Sequence, residues 1–107
     1  MQDIVFLCEL FDQYGDLLTE RQRAAFSLRY ADDLSLSEIA EELSISRQGA
    51  RDAIRHAEDS LIRAEEKLHM HERASSLSAI ADELAALPSA DGQKLTDFSR
   101  RIRSVLM

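Results

Sequence analysis

Residues 35–56, SLSEIAEELSISRQGARDAIRH, decide the fold. Ser35 with Glu38 three residues later has the form of a capping box, and Leu34 ahead of the cap can pack on Ile39 as a hydrophobic staple. Leu36, Ile39, Ala40 and Leu43 then fall on one helical face. Ser46 can cap a second helix, which leaves Ser44 and Ile45 as a tight turn between the two. The spacing therefore predicts two helices joined by about three residues, the layout of a helix-turn-helix.

That layout makes three demands. The inner faces of both helices must be apolar, a small residue must sit where the first helix crosses the second, and the outer face of the second must be polar. Ile39, Leu43, Ile45, Ala50 and Ile54 meet the first demand and Ala40 meets the second. Arg47, Arg51 and Arg55, four apart on one face, meet the third, with Gln48 beside them. A guanidinium can bond guanine through two hydrogen bonds and a glutamine amide can do the same to adenine. Ser46, Gln48 and the open backbone N–H groups of the helix start can hold a phosphate. Outside this frame three arginines would read as an ordinary solvated face. Inside it, Ser46, Arg47, Gln48, Arg51 and Arg55 are the candidate nucleic-acid-binding residues, and double-stranded DNA is the expected partner.

Outward from this motif the pattern stays helical. Ile4, Leu7, Cys8 and Phe11 form a stripe over 3–14, and Gly15 can close that helix in the left-handed conformation. Thr19 with Gln22 is a second capping box, opening a helix with Ala25, Phe26, Leu28 and Tyr30 as apolar positions, and Asp32 and Asp33 mark the loop after it. From Arg47 no stop signal occurs until about Arg73, which predicts a long recognition helix of about 27 residues, near 40 Å at ~1.5 Å per residue. Its apolar residues Ala50, Ile54, Ala57, Leu61, Ala64 and Leu68 alternate four and three apart, so the stripe should be covered along its whole length. Ser75 and Ser76 can cap a fifth helix with Leu77, Ile80, Ala81, Leu84 and Leu87, which Pro88 ends. After the loop through Gly92 a sixth helix carries Leu95, Phe98, Ile102 and Val105, with Arg100, Arg101 and Arg103 near its C-terminus, where cations suit the macrodipole. No strand pattern or repeat interrupts this. The expected fold is all-α, a helix-turn-helix domain over 1–73 without a winged-helix strand pair, followed by a helical hairpin over 74–107 that packs or dimerises.

Composition narrows the function. With 107 residues, 45% hydrophobic and 31% charged, the chain is globular and too short for two large catalytic domains. No apolar run approaches the ~20 residues of a membrane span and no signal peptide is legible, so a cytoplasmic protein without membrane contact is expected. The lone Cys8 lies on an apolar stripe and reads as core filler. His69 and His71 are two apart and face different ways, the carboxylate pairs 32–33, 41–42 and 65–66 are adjacent rather than facing, and neither a Gly-rich phosphate loop nor a triad spacing is present. We expect no enzyme activity, no metal and no cofactor.

Three stretches carry a family resemblance: LLTERQR at 17–23, DDLSLSEIAEELSISRQ at 32–48 and EEKLH at 65–69. Together, over about residues 4–73, the chain resembles the YlxM family of small bacterial proteins. The resemblance implies a fold like region four of sigma factors, a regulatory role linked to the signal recognition particle, whose GTPase gene such genes commonly neighbour, and a homodimer. The sequence departs from the family pattern at Gly49 and Ala50, where a larger pair is usual. It also has Ser44 where many such turns use Gly. Gly within a helix costs ~1 kcal/mol relative to Ala, so a soft recognition helix is expected.

Charge supplies the competing reading. Residues 1–73 hold 9 Lys+Arg against 16 Asp+Glu, and residues 74–107 hold 4 against 4. An acidic body weakens non-specific DNA binding and suits a basic partner. The alternative function is thus a protein-interaction module that contacts a signal recognition particle protein or RNA instead of DNA.

Overall fold

The computed structural model describes residues 3–87 and 92–106. Six helices follow in order: α1 Ile4–Tyr14, α2 Glu20–Tyr30, α3 Leu36–Leu43, α4 Arg47–Leu68, α5 Met70–Ala85 and α6 Gly92–Leu106. No strand occurs among the described residues, so the fold is all-α. The chain divides into two compact units, 1–68 and 69–107.

Local chemistry sets the helix starts of the first unit. Thr19 and Ser35 each close a complete capping box, with Gln22 and Glu38 returning the bond to the cap backbone at 3.2 and 3.1 Å. These bonds occupy N–H groups that a helix start otherwise leaves open. The Ser35 backbone and side chain hold the Glu38 carboxyl below the usual carboxylate range. Gly15 differs from expectation. It is right-handed, φ −54°, and opens a short 3-10 turn, Gly15–Leu17, instead of capping α1 in the left-handed region.

The core of this unit has two parts joined along α4. One holds Leu7, Leu10, Tyr14, Leu18, Phe26, Ala57 and Leu61, and Phe11 stacks on Phe26 with ring centroids 4.6 Å apart. The other holds Ala25, Ile39, Ala40, Ala50, Ala53 and Ile54, with Leu34 packed against it as a staple residue would be. The first half of α4 therefore belongs to the helix-turn-helix and the second half to α1. Tyr14, buried, donates its hydroxyl to Glu65 Oε1 at 2.7 Å across that seam. Of the expected α1 stripe, Leu7 is buried and Cys8 and Phe11 pack against the core, while Ile4 is exposed and Leu10 and Tyr14, outside that stripe, are enclosed.

The long helix is shorter than its sequence suggests. It ends at Leu68, and His69 takes the left-handed conformation, φ 55°, before α5 begins at Met70. No Gly or Pro marks this break, and His is among the residues that tolerate left-handed backbone more readily than most. The expected end of the long helix near Arg73 and the expected caps at Ser75 and Ser76 are thus corrected, those residues lying inside α5. Leu68, expected to be buried, is 46% exposed, whereas Leu61 and Ile54 are buried as the heptad stripe requires. In the second unit α5 and α6 pack together through Ile80 and Phe98. Arg101 lies over the Phe98 ring and pairs with Glu83. Pro88 and the loop to Asp91 fall outside the described residues.

Candidate nucleic-acid interface

The turn between α3 and α4 is built from Ser44, Ile45 and Ser46. Ser44 adopts the left-handed conformation, φ 56°, that Gly usually supplies, and the Ile45 N–H returns to the Ala40 carbonyl at 2.9 Å. These bonds close the C-terminal end of α3 and aim the chain into α4. Ser46 then caps α4. Its Oγ accepts from the Gly49 N–H at 2.9 Å and its carbonyl from Ala50 at 2.9 Å. Gly49 has a steric reason here. A Cβ on it would stand 3.1 Å from Ser46 Oγ, so the glycine leaves the cap its room. At the crossing of α3 and α4, Ala40 and Ala50 are both buried, and small residues there let the helices approach closely.

Arg47, Arg51 and Arg55 are all exposed on successive turns of α4, as their spacing requires. No ion pair involves any of the three among the described residues. Arg51 and Arg55 also border an open groove of about 340 Å³ with Arg29, Tyr30, Leu36, Ile54 and Glu58. Arg29, which the sequence reading did not single out, donates to the Leu34 carbonyl at 3.0 Å and so is held at this edge. Its signal is only tertiary, since α2 must dock before Arg29 stands near α4. Tyr30 donates to Glu58 along the same groove. Burial first, and then the Glu58 bond and charge, push the Tyr30 hydroxyl up to about 12.

Two expected phosphate holders are already engaged. Ser46 Oγ is taken up by its own cap, and Gln48 Nε2 donates to Asp52 Oδ1 at 2.9 Å. Asp52 was not a sequence candidate, although glutamine and aspartate four apart on a helix are a recognisable pair. No group of three or more His, Cys, Asp or Glu residues that could hold a metal ion occurs among the described residues. No described helix is long and apolar enough to cross a membrane.

Residues 1–100 match the family described as "Putative helix-turn-helix protein, YlxM / p13 like". The chain belongs to this family. The match extends past the segment 4–73 that carries the motifs and takes in α5 and most of α6. Over 66 residues the chain is 54% identical to a UPF0122 protein of Caldanaerobacter subterraneus subsp. tengcongensis, covering 62% of this chain and 56% of that relative. It is 49% identical over 71 residues to one of Thermoanaerobacter sp. strain X514, covering 66% and 61%. It is 47% identical over 77 residues to one of Listeria welshimeri, covering 72% and 70%. The chain thus spans less than two thirds of the length of the first two.

Proposed function

We propose that this helix-turn-helix protein is a non-enzymatic, DNA-binding regulator that lays the start of α4 into the major groove of double-stranded DNA. One observation carries the reading: Arg47, Arg51 and Arg55 stand exposed on the outward side of the second helix of a fully capped helix-turn-helix. In such motifs that helix enters the groove with its first turns against the base edges. Arg51 reads a base edge, and Arg47 or Arg55 grips phosphate. Exposed leucines at 68, 84, 95 and 106 support a homodimer through the long helix and the C-terminal helices, and reading successive major-groove turns would require its two recognition helices to lie about 34 Å apart. Sedimentation at micromolar concentration should show a dimer, and a monomer alone would remove that part.

The test is selection from a random duplex pool, followed by anisotropy titrations at two salt concentrations. Arg51→Ala should weaken the selected site by about 1 to 3 kcal/mol and leave non-specific binding nearly intact. Arg47→Ala should weaken all sequences alike and flatten the salt slope by about one unit. The net charge of −7 favours a second reading, a contact with a basic component of the signal recognition particle. Binding to such a component that survives all three arginine substitutions, with no sequence enriched, would establish it over DNA reading.

A further inference from the structure

We infer that Asp52 is a specificity-determining residue of the DNA-reading face, accepting a hydrogen bond from a cytosine amine while it holds Gln48 ready for a neighbouring adenine. This rests on the DNA-binding reading above. The geometry is the bond from Gln48 Nε2 to Asp52 Oδ1, 2.9 Å long, on the exposed side of α4 beside the three arginines.

An ionised carboxylate only accepts hydrogen bonds, so it dictates which end of the Gln48 amide turns toward it. The NH2 group faces Asp52 and the carbonyl faces away. The NH2 group has two hydrogens, and one suffices for Asp52. The second hydrogen and Oε1 are the donor and acceptor that a bidentate contact to adenine N7 and N6 uses. Asp52 therefore settles the orientation of Gln48 before DNA arrives, removing some of the side-chain entropy that binding would otherwise cost.

The bond uses Oδ1, and Asp52 has a second carboxylate oxygen. In the major groove guanine presents acceptors and thymine an acceptor and a methyl group, both poor neighbours for a carboxylate, whereas cytosine presents the N4 amine. An aspartate on this face thus penalises guanine and thymine at one position and rewards the amine-bearing bases, cytosine more than adenine because adenine sets the N7 acceptor beside its N6 amine. Repulsion from phosphates lowers affinity for every sequence equally, and Arg47, Arg51 and Arg55 offset it nearby. A carboxylate at this place trades general affinity for discrimination.

The experiment selects sites with the wild-type protein and with Asp52→Asn and Gln48→Ala, then titrates each against the selected duplex and against single-base changes of it. The wild type should require cytosine at one position and adenine beside it. Asp52→Asn should erase the cytosine preference, a loss of discrimination of ~5- to 150-fold, and should bind unrelated DNA more tightly. Gln48→Ala should erase the adenine preference and blunt the cytosine preference, which gives a readout even if Asp52→Asn fails to fold. A purely structural role for Asp52 would lower affinity for all sequences and leave the base profile unchanged. An unchanged profile in both variants, with the wild type still enriching a site, overturns the inference and leaves DNA reading intact. Failure of the wild type to enrich any sequence overturns both.

Discussion

Among the described residues, thirteen apolar side chains are buried in 1–68, but only Ile80 and Phe98 are buried in 69–107. The two units are similar in kind, amphipathic helices against amphipathic helices, and differ in how each helix is surrounded. In the first, α4 touches α1, α2 and α3, so its apolar stripe is enclosed from several sides. In the second, α5 and α6 have each other, and Leu84, Leu95 and Leu106 stay 40%, 42% and 66% exposed. A pair of helices can hide only one stripe on each. Enclosure, more than the number of leucines, separates the unit that carries the helix-turn-helix from the one that follows it.

Two leucines seven residues apart on one heptad stripe give the sharpest test. Leu61→Ala should destabilise the protein by about 2 to 5 kcal/mol in urea unfolding, because Leu61 is fully enclosed and the cavity cannot collapse completely. Leu68→Ala should change stability by about 0.5 kcal/mol or less, as surface positions do. Equal effects would break the contrast between the two ends of α4.

In the second unit, Phe98→Ala should remove a side chain around which α5 and α6 pack. Native-state hydrogen exchange should then show loss of protection across α5 and α6, because so small a core has little in reserve. Protection of α5 and α6 in the variant equal to that of the unsubstituted chain would show that the pair has support beyond its own core.

A smaller effect is expected from Ser35→Ala, which removes a capping bond of α3 at about 1 kcal/mol. The same box sets a pH response. The folded pKa of Glu38 is lowered, so its contribution is present above the ordinary carboxylate pKa and is lost as pH falls through the depressed value. Thermal melts of the wild type and Glu38→Ala should therefore converge toward acid pH, because the Ser35 backbone N–H loses its charged acceptor. A gap that stays constant would mean the carboxylate does not take part.

The smallest signal lies at the alkaline end. Tyr30 titrates at about 12 in the folded protein, above its ordinary value of 10.0, so its contribution is fully present below pH 10 and is lost as pH rises toward 12. Glu58→Gln should move its tyrosinate absorbance only part of the way back, because burial is the larger cause. A complete return to the ordinary value would make Glu58 the main cause instead.

The helix-turn-helix was legible because its signals are local. Ser35, Glu38 and Ser46 bond to backbone within three residues of themselves, and the apolar positions of α3 and α4 repeat at the helix period. The exposure of Arg47, Arg51 and Arg55 follows from the same periodicity. Where α4 stops was illegible, since His69 turns left-handed without a Gly or Pro to announce it. The α1 stripe was legible in part: Leu7 is buried and Cys8 and Phe11 pack against the same cluster, but only docking against α4 decides that Leu10 and Tyr14 are enclosed and Ile4 is not. Arg29 joined the groove beside Arg51 and Arg55, and Tyr14 found Glu65, through contacts between residues far apart in the chain. The sequence by itself determined an all-helical chain with a capped helix-turn-helix and an arginine face. Tertiary structure decided which apolar stripe is enclosed and which polar groups share the groove, because both depend on where separate helices meet.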